Sequence, residues 1–168
     1  TQDMFLTLLK NGYVYKDKMM QAYCPDCERF LADRYVVGTC PHCGFENARG
    51  DQCDQCGKPL DPAELKDLRC KTCGATPRFE ESEHFFLRLT GLQKQLEDWV
   101  GDKSYWRNNV VSSTWKYLNE GLKDRAITRD INWGVKIPVE GFENKRIYVW
   151  FEAVTGYLSA SKEWAKNN

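Results

Sequence analysis

The 168 residues carry 24 Lys and Arg against 24 Asp and Glu, a formal net charge of zero. That balance excludes a domain gripping nucleic acid by bulk electrostatics, which would be basic, and makes DNA an unexpected partner. No apolar run is long enough to span a bilayer and no basic leader precedes one, so a soluble, cytoplasmic protein with no membrane partner is expected.

In chain order, residues 2–10 put Phe5, Leu8 and Leu9 on one helical face, and Asn11-Gly12 supplies the stop. Tyr13-Val14-Tyr15 then predicts a short strand. The chain opens inside an element, without an initiating Met, as a piece cut from something larger would. From Tyr23 to about Thr76 the periodicity fades while Cys, Gly, Pro and Asp accumulate. A segment so poor in large apolar residues needs a metal to fold it.

All eight cysteines lie in this segment, as Cys24/Cys27, Cys40/Cys43, Cys53/Cys56 and Cys70/Cys73. Four uniform Cys-x-x-Cys pairs fit two closed sites, each with four thiolates around Zn²⁺, better than a disulfide framework or a redox motif. The gaps between successive pairs are 12, 9 and 13 residues, which leaves adjacent, crossed and nested matching all open. Gly44, Gly57 and Gly74 close three knuckles, where positive φ turns backbone N–H groups toward sulfur. Glu28 takes that place in the fourth, which should be looser. His42, inside a knuckle, and His84, on an aromatic run, are read as non-ligands: catalytic zinc would keep an open position, whereas four-sulfur sites are structural.

Beyond the knuckles, residues 83–89 predict a strand. Thr90 to Gln93 spells a capping box for a helix bearing Leu92, Leu96, Trp99 and Val100, stopped by Gly101. A second helix is expected over about 104–122, with Val111, Trp115, Leu118 and Leu122 on its core face. Residues 135–139 and 146–151 predict a hairpin. The second of these is nearly continuously apolar, as in a strand buried on both faces of a parallel sheet, and leads into a helix over 153–166.

Three stretches carry a family resemblance: Cys24-Pro25-Asp26-Cys27-Glu28-Arg29-Phe30 running on to Arg49-Gly50-Asp51-Gln52-Cys53; Gly74-Ala75-Thr76-Pro77 followed by Glu83-His84-Phe85-Phe86; and Thr128-Arg129-Asp130 with Tyr148-Val149-Trp150-Phe151-Glu152-Ala153-Val154-Thr155-Gly156-Tyr157. In order and spacing they resemble the methionyl-tRNA synthetases, class I enzymes whose Rossmann-type catalytic domain is split by a zinc-bearing insertion. The resemblance implies an α/β fold class, a fragment of that catalytic domain interrupted by a zinc-knuckle insertion. It divides the chain into 1–22 (end of the first catalytic half), 23–76 (double-knuckle insertion), 77–125 (joining strand and helices) and 126–168 (start of the second half). It also implies nested matching, with Cys24, Cys27, Cys70 and Cys73 on one structural Zn²⁺ and Cys40, Cys43, Cys53 and Cys56 on the other.

By the same resemblance Trp150, Ala153, Val154 and Tyr157 match positions lining a methionine pocket, with Val154 standing where many members carry proline. An unbranched thioether suits an apolar, aromatic-walled slot; the bland alternative is a pair of core aromatics. Arg129 matches an arginine associated with the phosphates of ATP, a catalytic role, against the alternative of a salt bridge to Asp130 or another nearby acid. The implied function is that of a methionine–tRNA ligase using ATP and Mg²⁺, with methionine and tRNA as partners. Neither the HIGH-type nor the KMSKS-type motif of class I enzymes occurs in these residues, so the chain alone is expected to bind neither ATP nor methionine and to leave Arg129 a lone charge facing solvent. The rival reading is a free-standing double zinc ribbon that binds nucleic acid through Arg29, Arg34, Lys58, Lys66, Arg69 and Lys71. Interleaved acids (Asp26, Glu28, Asp51, Asp54, Asp61, Asp67) speak against it. A synthetase for a larger aliphatic amino acid is disfavoured by the Trp150 and Tyr157 pair.

Overall fold

A computed structural model describes all 168 residues. The first half runs α1 (Gln2–Lys10), β1 (Val14–Cys24), β2 (Arg29–Phe30), β3 (Val36–Thr39), β4 (Ala48–Arg49) and β5 (Lys66–Cys70). The second runs β6 (Arg78–Leu87), α2 (Gln93–Gly101), α3 (Asn108–Asn119), β7 (Arg125–Ala126), β8 (Thr128–Arg129), β9 (Arg146–Ile147) and α4 (Val149–Asn167). The chain forms two compact units, Thr1–Asp17 with His84–Asn168, and Lys18–Glu83. Both divisions fall inside the long strands β1 and β6, neighbours in a sheet ordered β2-β1-β6-β7. These limits lie a few residues outside the 23–76 expected for the knuckle segment.

Unit Lys18–Glu83 is built on a three-stranded sheet ordered β4-β3-β5, with β3 antiparallel to both neighbours. Its buried cluster is Ala22, Leu31, Val36, Ala48 and Leu65 with Cys24, Cys40, Cys53 and Cys70. None is aromatic, and four of the nine are cysteines. In a unit of this size a purely hydrophobic core supplies at best about 3–5 kcal/mol, which leaves the clustered cysteines as the place where further stability would have to come from.

The other unit has an ordinary core: Phe5, Val14, Phe85, Ile127, Ile137, Phe142 and Ile147. Phe85 meets Phe5 edge-on at 5.0 Å and Phe142 at 4.6 Å, within the range where aromatic pairs attract. Helix α1 forms over the expected residues and buries Phe5, with Leu8 and Leu9 half-buried beside it.

Several elements differ from expectation. β1 is eleven residues long, because the polar run Lys16-Asp17-Lys18 hides a strand whose far end buries Ala22 and Cys24. β6 starts at Arg78, five residues early. The capping box does not form. Thr90 donates its hydroxyl to Asp124, and the Gln93 amide instead donates to the carbonyl of Leu118 and accepts from the N–H of Leu122. Gln93 thus ties off the end of α3, a long-range use that four-residue pattern matching does not see. α3 covers only Asn108–Asn119, and of its expected core face Leu118 alone is fully buried. On α2 Trp99 is exposed and packs edge-on against Trp106.

The largest difference lies at 146–151. β9 is two residues long, pairs antiparallel with β8, and gives way at once to α4; it is not a strand buried in a parallel sheet. A short apolar run does not itself distinguish strand from helix. Here Ile147, Phe151 and Thr155 recur every four residues toward the interior, while Val149, Trp150 and Val154 face out. The expected hairpin survives as one bridge between Lys136 and Arg146 and the bond from Ile147 N–H to the Val135 carbonyl.

Candidate functional site

The knuckle unit gathers its eight sulfurs into two sets, Cys24, Cys27, Cys70, Cys73 and Cys40, Cys43, Cys53, Cys56, each with all ligand atoms within 4.8 Å. Strand ends supply the first set, since Cys24 closes β1 and Cys70 closes β5. The second sits on the two turns after β3 and β4. Sulfur separations are 3.4 Å (Cys24–Cys73), 3.9 Å (Cys27–Cys70), 3.9 Å (Cys40–Cys56) and 3.6 Å (Cys43–Cys53). A zinc tetrahedron with bonds of about 2.3 Å has edges of about 3.8 Å, whereas a disulfide needs about 2.0 Å. The donor set and spacing fit zinc, and no water-sized opening in the coordination is implied by four sulfurs.

Each knuckle is a tight turn fixed by its backbone. The N–H groups of Cys40, Cys53 and Cys70 bond the carbonyls of Phe45, Lys58 and Ala75, five residues on. Gly44, Gly57 and Gly74 have φ of 78°, 71° and 82°, and their N–H groups return to the carbonyls of Cys40, Cys53 and Cys70 at 2.8–3.0 Å. In the fourth knuckle Glu28 also takes positive φ, 49°, but its N–H reaches only the Pro25 carbonyl, at 3.4 Å.

Backbone donors divide the thiols. The N–H of Cys56 pulls Cys53 down to about 7, with Gln55 adding to it against burial. Burial alone would raise Cys70, yet the N–H groups of Cys73 and Thr72 bring it to about 7. In the same sets, hydrogen bonding to Cys73, then burial, pushes Cys27 up to about 12. For Cys43 the N–H of Phe45 pulls downward but is outweighed by burial and by the neighbouring sulfurs, which bring it to about 12. Four thiolates gathered so closely would repel one another, and a cation among them would offset that repulsion. His42 is exposed and His84 belongs to the other unit, so neither is grouped with the sulfurs.

In the other unit β8 and the bend that follows it carry Thr128, Arg129 and Asp130. Thr128 and Asp130 point to one side, where the wholly buried His84 spans them: Nδ1 lies 2.9 Å from the Thr128 hydroxyl and Nε2 lies 2.9 Å from the Asp130 carboxylate. Thr128 Oγ1 also accepts the Phe85 N–H at 3.0 Å, and Lys145 pairs with Asp130 at 2.9 Å. Burial would raise the Asp130 carboxyl, but the His84 and Lys145 donors hold it below the usual value. Arg129 is therefore not bridged to Asp130, and it is not a lone charge in solvent. Its guanidinium lies 4.1 Å from the centre of the Tyr148 ring, and Nη1 donates to the carbonyls of Ala126 (3.0 Å) and Thr128 (2.8 Å). No polar side-chain atom here is both buried and unbonded, so its Nη2 and Nε donors reach solvent. The sequence reading named His84, Thr128, Asp130 and Tyr148 but not the contacts that join them, and it did not name Lys145; the alternation Thr-Arg-Asp was the one available signal.

Trp150, Ala153, Val154 and Tyr157 come together as one stripe along α4, at spacings of three and four residues. Within these 168 residues Trp150 is 63% exposed, Val154 66% and Tyr157 81%. On the knuckle unit two of the basic residues are paired with acids, Arg34 with Asp51 and Arg49 with Asp54, while Arg69 donates to the main-chain carbonyl of Glu46 and the side-chain oxygen of Asn47. No helix is long and apolar enough to cross a membrane.

Both units fit one family. Residues 1–168 match the model of the class I tRNA synthetases (M), and the chain belongs to that family. Among its relatives, the methionine–tRNA ligase of Dehalococcoides mccartyi strain 195 is 63% identical over 164 residues, covering 98% of this chain. That of Thermoplasma acidophilum is 52% identical over 165 residues. The chain spans about 30% of the length of each. A solved Mycobacterium tuberculosis methionyl-tRNA synthetase, in complex with methionyl-adenylate, aligns over 94% of this chain and 26% of its own with TM-score 0.56; at 19% identity it speaks for the fold.

Proposed function

We propose that this chain is part of a methionine–tRNA ligase, which joins methionine to ATP as the adenylate and then passes the aminoacyl group to tRNA. The 63% identity over nearly the whole chain to a methionine–tRNA ligase carries this reading. Two structural Zn²⁺ ions are held, one by Cys24, Cys27, Cys70 and Cys73, the other by Cys40, Cys43, Cys53 and Cys56. Closed sulfur shells leave no position for substrate, so these ions hold the fold of the insertion and take no part in the chemistry.

The exposed α4 stripe of Trp150, Ala153, Val154 and Tyr157 offers one wall for a methionine side chain, whose sulfur gains from aromatic contact. Arg129 offers a preorganised guanidinium to the phosphates of ATP. Stacking on Tyr148 and two carbonyl bonds hold it still, and its outward donors meet charge without reorganising. Mg²⁺, ATP and tRNA belong to the whole protein, and the 168 residues alone bind neither ATP nor methionine. Trp150→Ala in the whole protein tests the pocket. The methionine KM should rise about tenfold or more while the ATP KM holds, since even a single methylene's worth of contact in an apolar pocket changes binding by roughly 1–3 kcal/mol. Equal losses for both substrates would assign Trp150 to packing.

A further inference from the structure

We propose that His84 is a positioning residue for Arg129, acting from the opposite side of β8; this rests on the reading of Arg129 as a phosphate-binding group. Thr128 and Asp130 flank Arg129 in sequence, and both reach His84, although Asp130 lies in the bend just past β8. One imidazole bonds both Thr128 and Asp130, at 2.9 Å on each ring nitrogen, and so grips the strand on either side of Arg129. Bond directions are consistent along the chain of groups. In the set of directions that satisfies every group with a neutral ring, Thr128 Oγ1 accepts from the Phe85 N–H and donates to Nδ1, and Nε2–H donates to Asp130, which Lys145 also holds.

β8 needs such a grip. It is two residues long and its ladder is the two-residue β9; the backbone just before it is tied to β6 by the Ile127 N–H to the Phe85 carbonyl, while on the far side of Arg129 the tie back to β6 is the side-chain bond of Asp130 to His84. A small rotation would carry the guanidinium off the Tyr148 ring and away from the Ala126 carbonyl. The wholly buried imidazole, itself on the ten-residue β6, transfers the rigidity of a long strand to a short one. Ring and strand here form a support for a reactive-face side chain, the arrangement by which a site is held to within fractions of an ångström.

The test has a spectroscopic arm and a kinetic arm. In the 168-residue chain loaded with zinc, the Arg129 Nε–H resonance carries the ring-current shift of Tyr148, with Tyr148→Leu as the unstacked reference. Thr128→Val, of nearly the same shape, should move that resonance toward the reference, as should His84→Phe, and Thr128→Ser should restore it. If His84→Phe does not fold, the two Thr128 variants decide alone. An Arg129 resonance unmoved in Thr128→Val would overturn the proposal. In the whole protein, Thr128→Val should lower kcat for methionine-dependent ATP–pyrophosphate exchange by on the order of tenfold or more, leave both KM values nearly unchanged, and add little when Arg129→Gln is already present. Full additivity with Arg129→Gln would also overturn it. If Arg129→Gln itself leaves exchange intact, the phosphate reading falls, and the positioning claim is decided by the resonance.

Discussion

Glu28 holds a φ of 49° at the turn position that Gly44, Gly57 and Gly74 fill in the other knuckles. A side chain in the left-handed region costs about 1–2 kcal/mol, and glycine returns part of this as lost chain entropy. Glu28→Gly should therefore raise stability by roughly 0.5–1 kcal/mol, read from denaturant unfolding of the zinc-loaded chain, while Gly57→Ala should lower it. A loss of stability in Glu28→Gly would mean the Glu28 side chain makes a contact that outweighs its strain. Asp130 gives a second test at this scale. Its carboxyl titrates below the usual value, so its stabilising effect is complete above about pH 4 and fades as acid protonates the folded form. Asp130→Asn should cost about 2 kcal/mol at pH 7, less than a fully buried pair because Lys145 is 15% exposed. The gap between variant and parent should close below pH 4; a constant gap would locate the cost in packing. The cysteines were legible because ligand spacing within a knuckle is local chemistry. The His84 to Thr128 bond joins residues 44 apart, and no local pattern announces it.

Elements were legible where pattern and packing agreed. α1 shows its buried face in nine residues, whereas α4 hid behind an apolar run that also suits a strand, and its inward period of four emerges only when Ile147, Phe151 and Thr155 are compared. Nor did spacing choose among the three matchings of cysteine pairs. β3 makes that choice physical: it pairs with β4 on one side and β5 on the other, bringing Cys70 back beside β1's end and leaving the two inner knuckles to meet each other. The two sulfur sets should then fail differently. Cys53→Ser should open the inner turns, with proteolysis between Gly44 and Leu60, and Cys70→Ser should expose the strand ends, with cuts near Arg29 and Thr76. Identical cleavage maps would mean that the sets unfold as one.

At the scale of the whole molecule, the unit Thr1–Asp17 with His84–Asn168 folds around aromatic residues and the unit Lys18–Glu83 around thiols. Loss of metal should act on the second alone: chelation of both ions should abolish its thermal transition while Phe5 and Phe85 keep their native environment, as seen by proton resonances of the two rings. Elemental analysis should find two zinc ions per chain; one, or none with oxidised cysteines, would remove the tetrathiolate account. The exposed stripe on α4 and the outward donors of Arg129 lie in the first unit, where the proposed chemistry of the whole protein would be done. The most direct measurement is amino-acid-dependent ATP–pyrophosphate exchange by that whole protein. Methionine should drive exchange while leucine, isoleucine and valine do not; exchange driven by one of those three, or by no amino acid, would contradict the account.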